Sequence, residues 1–119
     1  MTDEQKWKFQ CYVRALRRDC RTPLPVRVRR RKIRPAEIEE IGYKVDGFTD
    51  LSKDGKFIWL ILDQTCSYST LIDCLIHEWA HAIVHPVYKH GKMWGLAFAD
   101  AYMAFDREAT RLRKEKGGC

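Results

Sequence analysis

The chain has 119 residues, 45% hydrophobic and 32% charged, enough for one domain with a modest core and too few for two. Its formal charge of +6 makes a polyanion such as DNA a candidate partner, and no apolar stretch approaches the length of a membrane span. A polar start (Met1-Thr2-Asp3-Glu4-Gln5-Lys6) and five scattered cysteines without a Cys-x-x-Cys pair exclude a disulfide scaffold or zinc ribbon and predict a cytoplasmic protein.

Residues 3–20 read as an amphipathic helix with Trp7, Phe9, Cys11, Tyr12, Ala15 and Leu16 on its buried face. Pro23 and Pro25 break it, and Val26-Arg27-Val28-Arg29 then alternates as a half-buried strand does. Pro35-Ala36-Glu37-Ile38-Glu39-Glu40 predicts a short helix with proline at its first position. Residues 43–48 predict a second strand, Asp54-Gly55 a hairpin turn, and residues 56–62 the strongest strand of the chain. Leu71, Ile72, Leu75, Ile76, Trp79, Ala80, Ile83 and Val84 form the stripe of a buried helix, capped at Ser69 or Thr70 and ended near His85 by Pro86. A last helix over residues 92–114 carries Trp94, Ala97, Phe98, Ala101, Phe105 and Leu112 at helical spacing, and residues 116–119 are expected to fray. Trp79 and Trp94 read as core. The order predicts one α+β domain over residues 1–119: helix, small three-stranded sheet of antiparallel or mixed pairing, buried helix, closing helix.

The buried helix contains His77-Glu78-Trp79-Ala80-His81, a His-Glu-x-x-His pattern. Residues four apart share a helix face, so His77 and His81 can offer ring nitrogens to one ion, and two neutral imidazoles suit Zn²⁺. Glu78 stands beside them, where a carboxylate can take a proton from metal-activated water. A third ligand is needed for a catalytic zinc. His85 continues the same face, but a straight helix puts it roughly 12 Å from His77, so a helix-end or cleft-lining role fits it better. His90 follows Pro86 and a loop, and can fold back; Asp100 and Glu108 on the last helix are acidic alternatives.

Three basic clusters punctuate the chain: Arg14, Arg17, Arg18 and Arg21; Arg27, Arg29, Arg30, Arg31, Lys32 and Arg34; and Arg111, Arg113, Lys114 and Lys116. They suit salt-sensitive contact with phosphate backbones, or else a solvated surface partly paired with Asp19, Glu37, Glu39 and Glu40.

The segment Thr70 through Ala82, with His77-Glu78-Trp79-Ala80-His81, and the following His90-Gly91-Lys92-Met93-Trp94 resemble the SprT-like (Spartan-like) zinc metallopeptidases, in particular the short forms of bacteriophages and prophages. The resemblance implies a minimal zincin-like domain, one zinc ion per chain on His77, His81 and His90, and Glu78 as general base in peptide hydrolysis. It implies a protein or peptide substrate, with DNA-associated proteins as one class, and the host cytoplasm as the setting of a phage form. The strand over residues 57–62 is then expected to offer an edge to an extended substrate with low side-chain selectivity, and Tyr88, Tyr102 and His85 to be oxyanion helpers. Longer relatives add a zinc ribbon of paired cysteines, which this sequence lacks. The metzincin pattern does not fit, because Val84 and Val87 stand where its Gly and His would fall. Two alternatives stay open: a zinc-stabilised nucleic-acid-binding module without catalysis, and an ImmA/IrrE-like regulatory metallopeptidase, whose pattern has a histidine at the place of His85.

Overall fold

A computed structural model describes residues 1–87 and 89–116; Tyr88 and residues 117–119, most of the predicted frayed tail, lie outside it. The fold is α+β, and the described residues form four helices and one three-stranded mixed sheet. Helix α1 (Asp3–Asp19) starts at a capping box, in which Gln5 N–H donates to Thr2 Oγ1 and Thr2 N–H donates to Gln5 Oε1. Its buried arc runs through Phe9, Tyr12, Val13 and Leu16, spaced three and four residues apart. Trp7 falls outside that arc and is 52% exposed, so its predicted place in the core is incorrect.

Strand β1 (Val26–Arg31) leads into α2 (Pro35–Ile41), whose first position is Pro35, as expected. Arg31 donates two hydrogen bonds of 2.7 Å to the Glu37 carboxylate, tying α2 to the end of β1 and holding Glu37 well below the usual carboxylate range. Gly42, with φ at +97°, ends α2 in the left-handed region that glycine enters freely. The second strand, β2, spans Gly47–Leu51 rather than residues 43–48. The turn sets that register: Ser52 N–H donates to Phe57 C=O, and Asp54 Oδ1 accepts from Ser52 Oγ and Lys56 N–H. Counting back from the turn pairs Leu51 with Ile58 and Gly47 with Leu62 of β3 (Ile58–Asp63).

The sheet order is β1-β3-β2, with β1 parallel and β2 antiparallel to β3. The strongest strand is thus the central one. Both its sides are hydrogen-bonded, which overturns the expectation that it offers an edge to a substrate; the outer strands are β1 and β2.

Helix α3 (Tyr68–Ile83) is capped by Ser67, whose Oγ accepts from Thr70 N–H, ahead of the predicted caps Ser69 and Thr70. Tyr68 packs on the core, which favours the earlier start. Leu71, Leu75, Ile76 and Trp79 are all at most 2% exposed and meet Leu60 and Leu62 of β3 and Phe9 and Leu16 of α1 in one core. Trp79 Nε1–H donates to Cys20 C=O at 3.1 Å, satisfying the indole at the end of α1. The last helix, α4 (Lys92–Lys116), packs on α3 and α1 through Ala97, Ala101 and Ala104. No helix among the described residues is long and apolar enough to cross a membrane.

Gly47 sits where β2 runs tightly against β3, with α3 in ordinary contact above it. A Cβ there would stand 3.0 Å from Ile61 O and from Leu62 Cδ2, and 3.6 Å from Cys74 Cβ. Gly47→Val should lower the unfolding free energy by about 1–3 kcal/mol through overpacking, read by urea denaturation. Unchanged stability would mean that the strand shifts without cost.

Candidate metal centre

Helix periodicity turns His77 and His81 to one flank of α3, while Leu75, Ile76 and Trp79 occupy the core side. The chain then leaves α3 after Ile83, and the segment before α4 returns His90 to that flank. The three Nε2 atoms converge: His77 to His81 and His77 to His90 at 3.3 Å, His81 to His90 at 2.9 Å. One N–H can link two of these nitrogens but cannot satisfy all three lone pairs, whereas a cation at their centre can. The His77, His81 and His90 group can hold a metal ion, and it is the one such group among the described residues.

Trp94 builds the wall behind the triad. Its ring centroid lies 4.9, 5.5 and 4.7 Å from those of His77, His81 and His90. It also packs on the small cluster of Ala80, Val84 and Ala97, so the residue read as core is at once packing and support for the ligands.

Glu78 is 8% exposed, and its Oε2 lies 3.7 Å from His77 Nε2. Burial pushes its carboxyl up to about 7. Burial also pushes His81 down to about 4, with His77 and His90 adding to the effect. His77 is lowered by burial and then by His90. Both imidazoles are therefore neutral at pH 7, the form that binds a metal.

The remaining candidates lie elsewhere or at the margin. His85 follows the end of α3 and lines a small cavity of about 70 Å³ with His81, Thr49, Asp50 and Leu51. Tyr102 is half exposed on α4, with its ring against Phe98 and Phe105. Tyr88 lies outside the described residues. Asp100 is exposed, its carbonyl accepting from Cys20 Sγ, and Glu108 is buried against Arg111 with Arg18 at 4.0 Å. Neither acidic alternative joins the histidine group.

A cavity of about 680 Å³ opens beside the triad. Ile41, Tyr43, Val45 and Phe48 line it opposite the histidines, and Asp73 and Cys74 line it from α3. Sequence reading missed all six. Asp73 and Cys74 were within reach of it, since Cys74 stands one turn before His77 and Glu78; the other four lie at the end of α2, in the connection to β2 and in β2, and reach the cavity only through tertiary packing.

The perturbed groups give the metal-free chain opposing pH dependences. A carboxyl raised to about 7 favours the fold below the ordinary carboxylate range and loses that contribution as pH rises through about 7. Lowered imidazoles act in reverse: their contribution is present above the ordinary histidine value and is lost as pH falls toward about 4. Glu78→Gln removes only the first, so the Tm of metal-free Glu78→Gln should rise more steeply than the parent's between about pH 5 and 7. Parallel curves would show that Glu78 does not titrate in this window.

Comparison with protein-family models, curated proteins and solved structures returns no match, so the meaning of this centre rests on its residues and their geometry.

Proposed function

We propose that the protein is a zinc-dependent peptidase of the SprT-like (Spartan-like) kind, acting on an extended polypeptide laid along β2. The observation that carries this reading is the triangle of Nε2 atoms, with edges of 3.3, 3.3 and 2.9 Å, beside a buried carboxylate. Three nitrogens on one face of a tetrahedron around zinc, at bonds of about 2.0–2.1 Å, stand about 3.3–3.4 Å apart. Two of the three edges match that spacing and the His81–His90 edge is shorter, while three imidazole nitrogens suit zinc in kind. Three protein ligands, rather than four, are the pattern of a catalytic zinc with a position left for water or substrate.

Zinc held by His77, His81 and His90 supplies Lewis acidity toward water and toward a peptide carbonyl. Glu78 does the proton work: its carboxylate takes a proton as water attacks, then delivers it to the leaving amine. Burial raises the Glu78 carboxyl in the metal-free chain, and a cation on the neighbouring histidines would draw it back down toward the carboxylate that a general base needs. As an outer strand that lines the cavity, β2 has backbone groups facing away from β3 that can pair with an extended substrate. The free thiols of Cys11, Cys20, Cys66 and Cys74 support a reducing, cytoplasmic setting.

Glu78→Gln should keep about one zinc per chain while losing roughly 10²–10⁴-fold in peptide hydrolysis, and His90→Ala should lose the zinc. Elemental analysis beside a peptide-cleavage assay reads both. Full zinc in His90→Ala, or parent-like cleavage by Glu78→Gln, overturns the assignment. Zinc and DNA binding with no cleavage by the parent would leave the non-catalytic module.

A separate observation favours nucleic acid as a second partner. A cavity of about 660 Å³ between α1 and β1 is lined by Lys6, Arg17, Arg29 and Arg30, with no carboxylate among its lining residues. It lies along β1, the strand on the other side of the sheet from β2. Such a surface attracts phosphate backbones without reading sequence. Lys6→Glu combined with Arg29→Glu should weaken binding to a DNA duplex about tenfold or more and make log Kd less steep in log salt by roughly 2, as fluorescence anisotropy would show. Equal slopes would remove this groove from the contact.

A further inference from the structure

We infer that the cavity beside the histidine triad is a selective subsite for one bulky apolar side chain of the substrate, walled by Ile41, Tyr43, Val45 and Phe48. The nature of the occupant rests on the peptidase reading above; the subsite itself is argued from the packing of these residues.

None of the four belongs to either hydrophobic cluster of the fold. Ile41, Val45 and Phe48 are only partly buried, and Tyr43 is 68% exposed. Single exposed apolar residues are ordinary on a protein surface, but several gathered around one concavity mark a place where apolar matter binds. At about 680 Å³ the whole cavity, histidine side included, falls within the range of ligand pockets, about 300–1,000 Å³, with room for a peptide segment and one of its side chains. One side of it is the metal centre, with His77, Glu78, His81 and His90; the other is the apolar wall.

The chain direction explains why a side chain, rather than a free small molecule, belongs there. Strand β2 lines the cavity through Gly47, Phe48 and Thr49, and it is an outer strand. A peptide paired with it presents successive side chains to alternate faces, so those on one face point toward the cavity. Backbone pairing carries almost no side-chain information; the wall supplies it. Asp46 and Asp73 also line the cavity and set it against an acidic side chain.

Peptidyl hydroxamates that differ in one side chain test this on the zinc-loaded protein by calorimetry, because their binding needs the metal centre and no turnover. Isobutyl and benzyl compounds should bind roughly tenfold or more tightly than the methyl compound, with the carboxymethyl compound weakest. Val45→Ser and Phe48→Ala should each shrink that gap, while binding of acetohydroxamate, which has no such side chain, reports that the metal centre of each variant is intact. Equal affinities in the parent, an undiminished gap in both variants, or no hydroxamate binding at all would overturn the subsite. Discrimination by a parent that cleaves no peptide would support the subsite and defeat the peptidase reading.

Discussion

The seating of α3 between the sheet and α4 is the constraint on which the rest of the molecule depends. Leu71, Leu75, Ile76 and Trp79 commit one side of the helix to the core, and the indole of Trp79 ties it to the end of α1. With that side fixed, the helical repeat leaves His77 and His81 no choice of direction. Alanines then let α4 come close: Ala80 on α3 and Ala97, Ala101 and Ala104 on α4 are all 4% exposed or less. Trp94 at the head of α4 reaches all three imidazoles. Packing that stabilises the fold is therefore the same packing that positions the three imidazoles, which could hold a metal ion.

Two buried glutamates show how differently one residue type is used. Glu108 is 4% exposed and is neutralised by Arg111, with Arg18 nearby, a structural solution between α1 and α4. Glu78 is 8% exposed with no cation in that role, and burial alone raises its carboxyl. An unpaired buried acid costs stability. Its position 3.7 Å from the His77 ring nitrogen puts the cost where a bound cation would offset it. That arrangement is the one the proposed general-base role of Glu78 calls for.

The sheet separates two kinds of surface. Along β1 the lining is cationic, and some guanidinium groups are held over aromatic rings, Arg30 on Phe9 and Arg27 on Phe57. Along β2 the cavity has an apolar wall and three carboxylates, Asp46, Asp73 and Glu78, and includes the histidines. In the function proposed for this protein, polyanion and polypeptide would meet opposite sides of one small sheet and would not compete for the same groups.

Local signals made much of this legible in the amino-acid order alone. Capping residues, prolines, the Asp54-Gly55 turn and the 3.6-residue stripes located all four helices, the hairpin and two of three strands to within a few residues. The spacing of His77 and His81 determined that they share a face, because helix geometry is a short-range property. What the sequence could not determine depends on which segments pair. The continuous apolar run of residues 57–62 marks a buried strand but does not say which segments flank it, so the pairing of β3 with β1 on one side and β2 on the other was decided only by tertiary hydrogen bonding. Likewise β2 begins at Gly47, where α3 comes within contact of the strand, a long-range fact invisible to propensity. The return of His90, the support from Trp94 and the wall of Ile41, Tyr43, Val45 and Phe48 arise from contacts between residues far apart in the chain. Helix and turn identity is written locally; the convergence of the third histidine and the shape of the cavity exist only once the elements have packed.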